Sequence, residues 1–400
     1  MTADPSMPET SPFAASAPDA DADAGYQRHL QASLQALALG QHARGSDEAE
    51  LALEAWSRGQ RPATDRARAF QLLATHQWRQ GLFEDSALAA RRALAIWQRH
   101  GEHDAGCSTQ CLIATAFTEL GLNEEALRHA AAAFDQARRQ GLPAREVEAL
   151  NRLGICHERL GDPERGEQYL LTALQLAQSS SDTAAEMMAL NNLAATGIGA
   201  YHLLRQRGEN AAAHAFLLRA RAHAEAVLQL VEQTTDLYRQ VVVRGNLGEI
   251  LSLLGDFSSA DPLLRQCIAD AQRSGYEAVA LRSRFNLGEL RAMEGRHDDA
   301  LAELRSVLEG LRQFDHATTR MRVHRALHQS YKALGQFEQA LIHFEAYHAM
   351  ELQRLSLQAR AQARLMVNRH DLDLALASAP APLATGPMPL SPEPPLPRRG

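Results

Sequence analysis

Lysine is all but missing from this chain. Lys332 stands alone among 41 basic residues, and every other one is arginine. Aromatic residues make up only 5% of the 400 positions, although 45% are apolar. That imbalance disfavours a sheet protein, whose strands draw on aromatic and β-branched side chains, and suits helices packed through alanine and leucine. Cysteine is confined to Cys107, Cys111, Cys156 and Cys267, too scattered for a disulfide framework, so free thiols are expected. No apolar run approaches the ~20 residues that cross a bilayer. The opening MTADPSMPETSPF lacks the basic-then-apolar order of a secretory signal. A cytoplasmic protein without a membrane partner is therefore expected. The net charge of −7 carries no basic stripe, which argues against a nucleic-acid partner.

Proline is nearly absent from the middle of the chain. Four prolines fall within 1–24 and eight within 380–397, leaving only Pro62, Pro143, Pro163 and Pro262 between. Residues 1–24, rich in Ala, Ser, Asp and Pro, are expected to be disordered, and residues 379–400 to form an extended Pro-rich tail. Pro143 and Pro163 suit helix starts, where the missing N–H is harmless. Pro262 falls within an expected helix and predicts a kink or a late start there.

What is present is a clock. Gly81, Gly121, Gly161, Gly208, Gly255, Gly295 and Gly335 are separated by steps of 40, 40, 47, 47, 40 and 40 residues. Five residues after each comes a small residue: Ser86, Ala126, Gly166, Ala213, Ala260, Ala300 and Ala340. Eight residues before each of six of them is an aliphatic: Leu73, Ile113, Leu153, Leu247, Leu287 and Leu327, with Leu193 in the equivalent place of the fourth unit. The next residue is mostly Ala or Gly. A second punctuation follows each unit, at Gly101, Gly141, Ser181, Thr235, Gly275 and Asp315. Between the marks, apolar residues recur at helical spacing, as in Leu247–Ile250–Leu251–Leu254. The pattern predicts a repeated helical hairpin: glycine ends helix A in the left-handed conformation, and acids such as Glu124–Glu125 open helix B.

These residues resemble the tetratricopeptide repeat in its form of about 40 residues. NLGEILSLLGDFSSA (246–260) and NLGELRAMEGRHDDA (286–300) are the clearest copies, and the resemblance covers roughly residues 65–350. It implies an all-α fold, an α–α superhelix of about seven hairpins, with a degenerate capping hairpin over 25–62 and the repeats over 63–350. Asn192 and Asn246 are equivalent yet 54 residues apart, so the fourth repeat, about 183–235, is expected to be extended by two turns on both arms. From Gln336 to about Ser378 there is neither glycine nor proline, which predicts a long last helix continuing over 351–378. That segment looks like the helix after the last repeat in bacterial signalling proteins, where it leads into a diguanylate cyclase or other output domain. No such domain is expected here. Leu365 and Leu372 keep a heptad step that would allow a homodimer. The near-exclusive use of arginine fits a GC-rich bacterial genome.

Nothing amounts to an active site. Cys107 and Cys111, with His103 a turn earlier, lack a fourth ligand, and buried cysteine is a common core residue. His324 and His328 lack a carboxylate motif. No enzyme activity, metal or cofactor is therefore expected. Functional candidates come from the resemblance instead. In peptide-binding members of the family, helix A lines the inner groove and an Asn before the Leu-Gly pair contacts the ligand backbone. Asn192, Asn246 and Asn286 match that position, and Asn151 and Asn191 sit one residue earlier. An amide suits the task because it both donates and accepts. Arg282, Arg322, Arg325, Gln329 and Lys332 should share that surface and could hold a carboxylate, with Glu249 and Glu289 alongside. The competing reading is that the asparagines bond between repeats and the arginines form a solvated face. The expected function is a noncatalytic scaffold binding a protein or peptide segment. The alternative is a sensor module acting through its long C-terminal helix.

Overall fold

A computed structural model describes residues 20–312 and 317–378 of the chain. Its sixteen α-helices form eight antiparallel hairpins, with no strand among the described residues. The first two hairpins are α1 (Ala20–Ala38) with α2 (His42–Arg58) and α3 (Ala63–Arg79) with α4 (Phe83–His100). Then come α5 (His103–Glu119) with α6 (Asn123–Gln140) and α7 (Pro143–Arg159) with α8 (Pro163–Ser179). The fifth hairpin is α9 (Thr183–Gln206) with α10 (Asn210–Val231), helices of 24 and 22 residues against 17 in α7 and α8. The last three are α11 (Leu237–Leu254) with α12 (Phe257–Arg273), α13 (Glu277–Met293) with α14 (His297–Gly310), and α15 (Ala317–Ala333) with α16 (Phe337–Ser378).

The punctuation works through backbone geometry. All seven glycines of the clock have positive φ, from 73° to 88°. At Gly121 the N–H bonds to the Thr118 carbonyl at 3.0 Å and the Leu122 N–H to the Phe117 carbonyl at 2.9 Å. This pairing satisfies carbonyls that the end of α5 leaves open. Gly40, at φ 69°, makes the same turn in the first hairpin, so the clock has an eighth tick 41 residues before Gly81. Ser181, at φ 54°, is the one non-glycine with positive φ among the described residues.

Two boundaries differ from the sequence expectation. Helix α1 already begins at Ala20, inside the span 1–24 expected to be disordered. Asp21 and Asp23 sit in its first turn, where the helix dipole favours acids, and Ala22 is buried. Residues 1–19 and 379–400, and the second-punctuation residue Asp315, lie outside the described residues. Helix α12 starts at Phe257 rather than late, and carries Pro262 within it. The Asp256 carboxylate caps it by accepting from the Ser259 N–H at 3.3 Å.

Two helical layers define an inside and an outside. Every odd-numbered helix touches the next odd-numbered one, from α1 against α3 to α13 against α15, while no such contact between successive even-numbered helices is of comparable extent. A stack whose first helices touch and whose second helices splay must curve toward the first. The odd helices therefore line the concave wall. In the hairpins α3–α4, α5–α6, α7–α8, α11–α12 and α13–α14 the two helices meet through a matched pair sixteen residues apart, whereas in the elongated α9–α10 hairpin Gly197 faces Ala220, twenty-three residues on. Gly154 faces Leu170, Gly248 faces Leu264 and Gly288 faces Leu304, so that a β-carbon on each glycine would stand 2.5, 2.6 and 3.0 Å from the leucine. Where helix A has alanine at this place, as at Ala74 and Ala114, helix B has alanine too, at Ala90 and Ala130, and all four are fully buried. A glycine on helix A thus makes room for a leucine on helix B, and a β-carbon on helix A restricts its partner to alanine, as close packing requires.

Helix α16 is 42 residues long, or about 63 Å at 1.5 Å per residue. It runs back across the molecule far enough for the Gln358 side-chain amide to donate to the Gly121 carbonyl at 2.8 Å, linking the last hairpin to the α5–α6 turn.

Candidate functional site

The concave wall carries a polar ladder whose rungs come from successive odd helices. Asn151 on α7 is fully buried, donates to the Val147 carbonyl of its own helix at 2.9 Å, and accepts from Asn192 of α9 at 2.8 Å. Asn191, the neighbour of Asn192, accepts from Asn246 of α11 at 3.0 Å. Asn246 in turn accepts from the Arg282 guanidinium of α13 at 2.8 Å. The next rungs converge on Glu249. Its carboxylate accepts from Arg282 at 3.3 Å, from Asn286 at 3.0 Å and from Arg322 of α15 at 3.4 Å. Arg322 also pairs with Glu289 at 3.7 Å and lies over the Phe285 ring, 4.6 Å from its centre.

Each asparagine can extend the ladder because its amide offers a donor and an acceptor on one short side chain, which matches the close spacing of neighbouring inner helices. The arginines take over where the rungs must reach farther. Asn151, Asn246 and Asn286 are therefore buried structural members, and Asn191 and Asn192 are partly exposed beside them. Asn286 keeps its Oδ1 without a donor among the described residues.

Glu249 is the charged hub. Burial pushes its carboxyl upward, but the guanidiniums of Arg282 and Arg322 outweigh burial and hold it below the ordinary glutamate range. Glu289 goes the other way. Burial raises it and the nearby Glu249 charge adds to the rise, against the pull of Arg322. His202, from the elongated part of α9, joins the same field. Burial lowers its pKa, with Glu249 pulling back and Arg322 and Arg325 reinforcing the drop. Sequence reasoning named Glu249 only as a neighbour and missed His202. The signal for His202 was its place on the elongated hairpin; no spacing rule pointed to α15.

Arg325, Gln329 and Lys332 follow Arg322 along one face of α15 and are exposed. None of the three has a hydrogen bond or ion pair among the described residues. The ladder thus ends in a donor-rich, positive strip. A cleft of about 270 Å³ opens between α11 and α13, lined by Tyr238, Val242, Asn246, Val279, Arg282 and Leu311, and it meets α15 at Thr319, near the start of that helix rather than at the strip. It offers apolar walls with an amide and a guanidinium on one side.

The other sequence candidates are not brought to this face as chemistry. Cys107, Cys111, Cys156 and Cys267 are buried and free. Burial raises the Cys156 thiol to about 11, which removes its thiolate at neutral pH. His324 bonds to His343 at 3.0 Å and His328 to the Ala340 carbonyl at 2.9 Å, so both fasten α15 to α16. No cluster of three metal-ligating side chains occurs among the described residues. No helix among them is long and apolar enough to cross a membrane.

This architecture is that of a tetratricopeptide-like α–α solenoid. The tetratricopeptide repeat profile matches residues 147–180, which span α7 and α8. A search of curated proteins gives no match. Among solved structures, a Rap protein complexed with competence and sporulation factor is similar, with a TM-score of 0.57 at 11% identity, over 83% of this chain and 99% of that one. The apo form of the quorum sensor NprR from B. thuringiensis reaches the same TM-score of 0.57 at 14% identity, over 82% and 87% of the two chains. A Rap conjugation gene regulator in complex with the Phr* peptide gives 0.56 at 9% identity, over 83% and 96%. At such identities the likeness is one of fold.

Proposed function

We propose that the protein is a noncatalytic, cytoplasmic adaptor that binds a peptide or extended protein segment along its concave wall. In this reading residues 63–350 form the binding array, 25–62 cap it, and 351–378 continue its last helix. The observation that carries the reading is the unpartnered strip Arg325–Gln329–Lys332 at the end of a ladder otherwise closed on itself. The ladder fixes the wall, while the strip and the cleft beside Arg282 are left to meet a ligand. Their chemistry suits an extended segment that places a carboxylate on the strip and an apolar side chain in the cleft. Fold neighbours solved with a bound peptide or factor add support by analogy of architecture.

The test uses the exposed residues, because Asn246 and Asn286 hold the wall and their loss would loosen it. The protein is immobilised and offered a library of short peptides with free carboxyl ends. Arg325→Ala with Lys332→Ala is expected to weaken the captured peptides about tenfold, with an unchanged thermal melt. Equal capture by wild type and variant, or no capture by either, would remove the assignment.

A sensor role is the second reading, and the Gln358 bond to Gly121 favours it, because one helix then joins the last hairpin to the third. Occupancy of the groove would shift α16, and Gln358→Ala would change peptide affinity without touching the groove. An unchanged affinity speaks against it.

A further inference from the structure

Helix α16 carries an apolar stripe that the described chain leaves largely uncovered, with Phe344 packed in part against His328 of α15, 5.4 Å between ring centres. Phe337, Leu341, Phe344, Leu352 and Leu355 are 69, 55, 44, 53 and 48% exposed, and His348 between them is exposed as well, while Ile342 and Leu357 are exposed singly on other faces. At 100° per residue the six side chains of the stripe fall within an arc of about 80°. Isolated exposed leucines are ordinary; a continuous stripe of this kind marks a contact surface. The other end of the solenoid shows what a solvated end looks like. There α1 exposes Gln27, Arg28, Gln31 and Gln35, with Leu34 the one large apolar side chain exposed among them.

The repeat itself says what belongs on the stripe. From α2 onward, every even-numbered helix before α16 packs against the odd-numbered helix that follows it, which runs antiparallel to it: α2 with α3, α4 with α5, and so on to α14 with α15. Among the described residues, α16 alone has no successor. The vacant position calls for an antiparallel helix with an apolar stripe of matching spacing.

We propose that this helix is α16 of a second copy, so that the protein forms a two-fold dimer through its last hairpin. The stripe is its own complement when reversed. Turning the helix end over end about the level of Ala346 sets Phe337 opposite the partner's Leu355, Leu341 opposite the partner's Leu352, and Phe344 opposite the partner's His348. Each pair is level to within one residue of rise, ~1.5 Å. Such self-complementarity is what an isologous interface requires. The exposed fractions correspond to roughly 500 Å² per copy, or about 1,000 Å² for the pair, which is the lower bound for a specific association. An area at that bound fits a weak, concentration-dependent dimer. Gln358 stands about 40° outside this arc, one turn beyond Leu355, so its bond to Gly121 borders the stripe without occupying it. The stripe lies earlier on the helix than Leu365 and Leu372, whose heptad step first suggested pairing.

Light scattering on the full chain at ~100 µM is expected to give twice the chain mass, and Leu352→Glu to weaken association at least tenfold with the fold retained. Register is tested by cysteine pairing, since the four native thiols are buried and add no background. Oxidation should link Leu341→Cys/Leu352→Cys into covalent dimers, because each substituted position then faces the other across the dyad. Neither single variant should link, because like positions are about 16 Å apart and a disulfide needs α-carbons within ~7 Å. A monomer at ~100 µM, or linkage by either single variant, overturns the proposal.

Discussion

Ser181 occupies the place that glycine fills at Gly101, Gly141 and Gly275, and it has the same left-handed backbone, with φ 54°. A side chain in that conformation brings its β-carbon close to the following carbonyl oxygen. Ser181→Gly should therefore stabilise the protein by about 0.5–1 kcal/mol, read as a rise in the urea midpoint at constant slope. The same logic explains why the repeat was legible in the sequence. A positive φ at a helix end almost demands glycine, so the chain writes its turns in one letter. Gly40 escaped because its hairpin has drifted elsewhere and the step is 41 residues. The site was less legible. Register placed Asn151, Asn191, Asn192, Asn246 and Asn286 on the inner wall, but which amide meets which depends on helix-to-helix distances across repeats. Glu249 draws its partners from residues up to 73 positions away, and no local pattern records that.

Between helices, the governing rule is the volume shared by a pair sixteen residues apart. Gly248→Ala inserts a methyl against Leu264 and is expected to cost about 1–3 kcal/mol. Leu264→Ala opens a cavity at a fully buried site and should cost about 2–5 kcal/mol. Together they recreate the alanine pair found at Ala74 and Ala90. The double variant should lose at least 1 kcal/mol less than the two single losses added, measured as a coupling energy in denaturant. Simple additivity would show that the glycine is set by something other than the facing leucine. At the elongated hairpin the packing is of another kind. Ala200, Leu204, Ala213 and Phe216 make a small core of their own near its tip, separate from the clusters that run along the solenoid. Periodicity reveals the extra length of these helices, whereas a private core becomes visible only once their side chains are placed.

Across the whole molecule, many histidines are held neutral. Burial lowers His129 and His343 from 6.5 to about 4, and it lowers His42, His76, His157, His202, His223 and His324 as well. On unfolding each regains its ordinary affinity for a proton, so the unfolded chain binds more protons below 6.5. Stability is then full above about pH 6.5 and falls as the pH drops toward 4. His129 alone, packed against Phe117 and bonded to Gln110, accounts for up to about 3 kcal/mol of that loss. Urea midpoints at pH 7.5, 6 and 5 should descend, and His129→Leu should flatten the descent. A curve level over that range would refute the account. Glu249 acts lower on the scale: its depressed pKa gives stability that is present above 4.5 and is lost as the pH falls below it.

A stack of hairpins is mechanically a coil spring, with each repeat contributing a small angular compliance. The Gln358–Gly121 bond ties together points 237 residues apart and so sets the rest length of that spring. Pulled from its ends, the protein should yield in two regimes. A single weak fastening parts first at low force, and the coil then lengthens by changing its pitch while every hairpin stays whole. Only at higher load would hairpins peel away one by one.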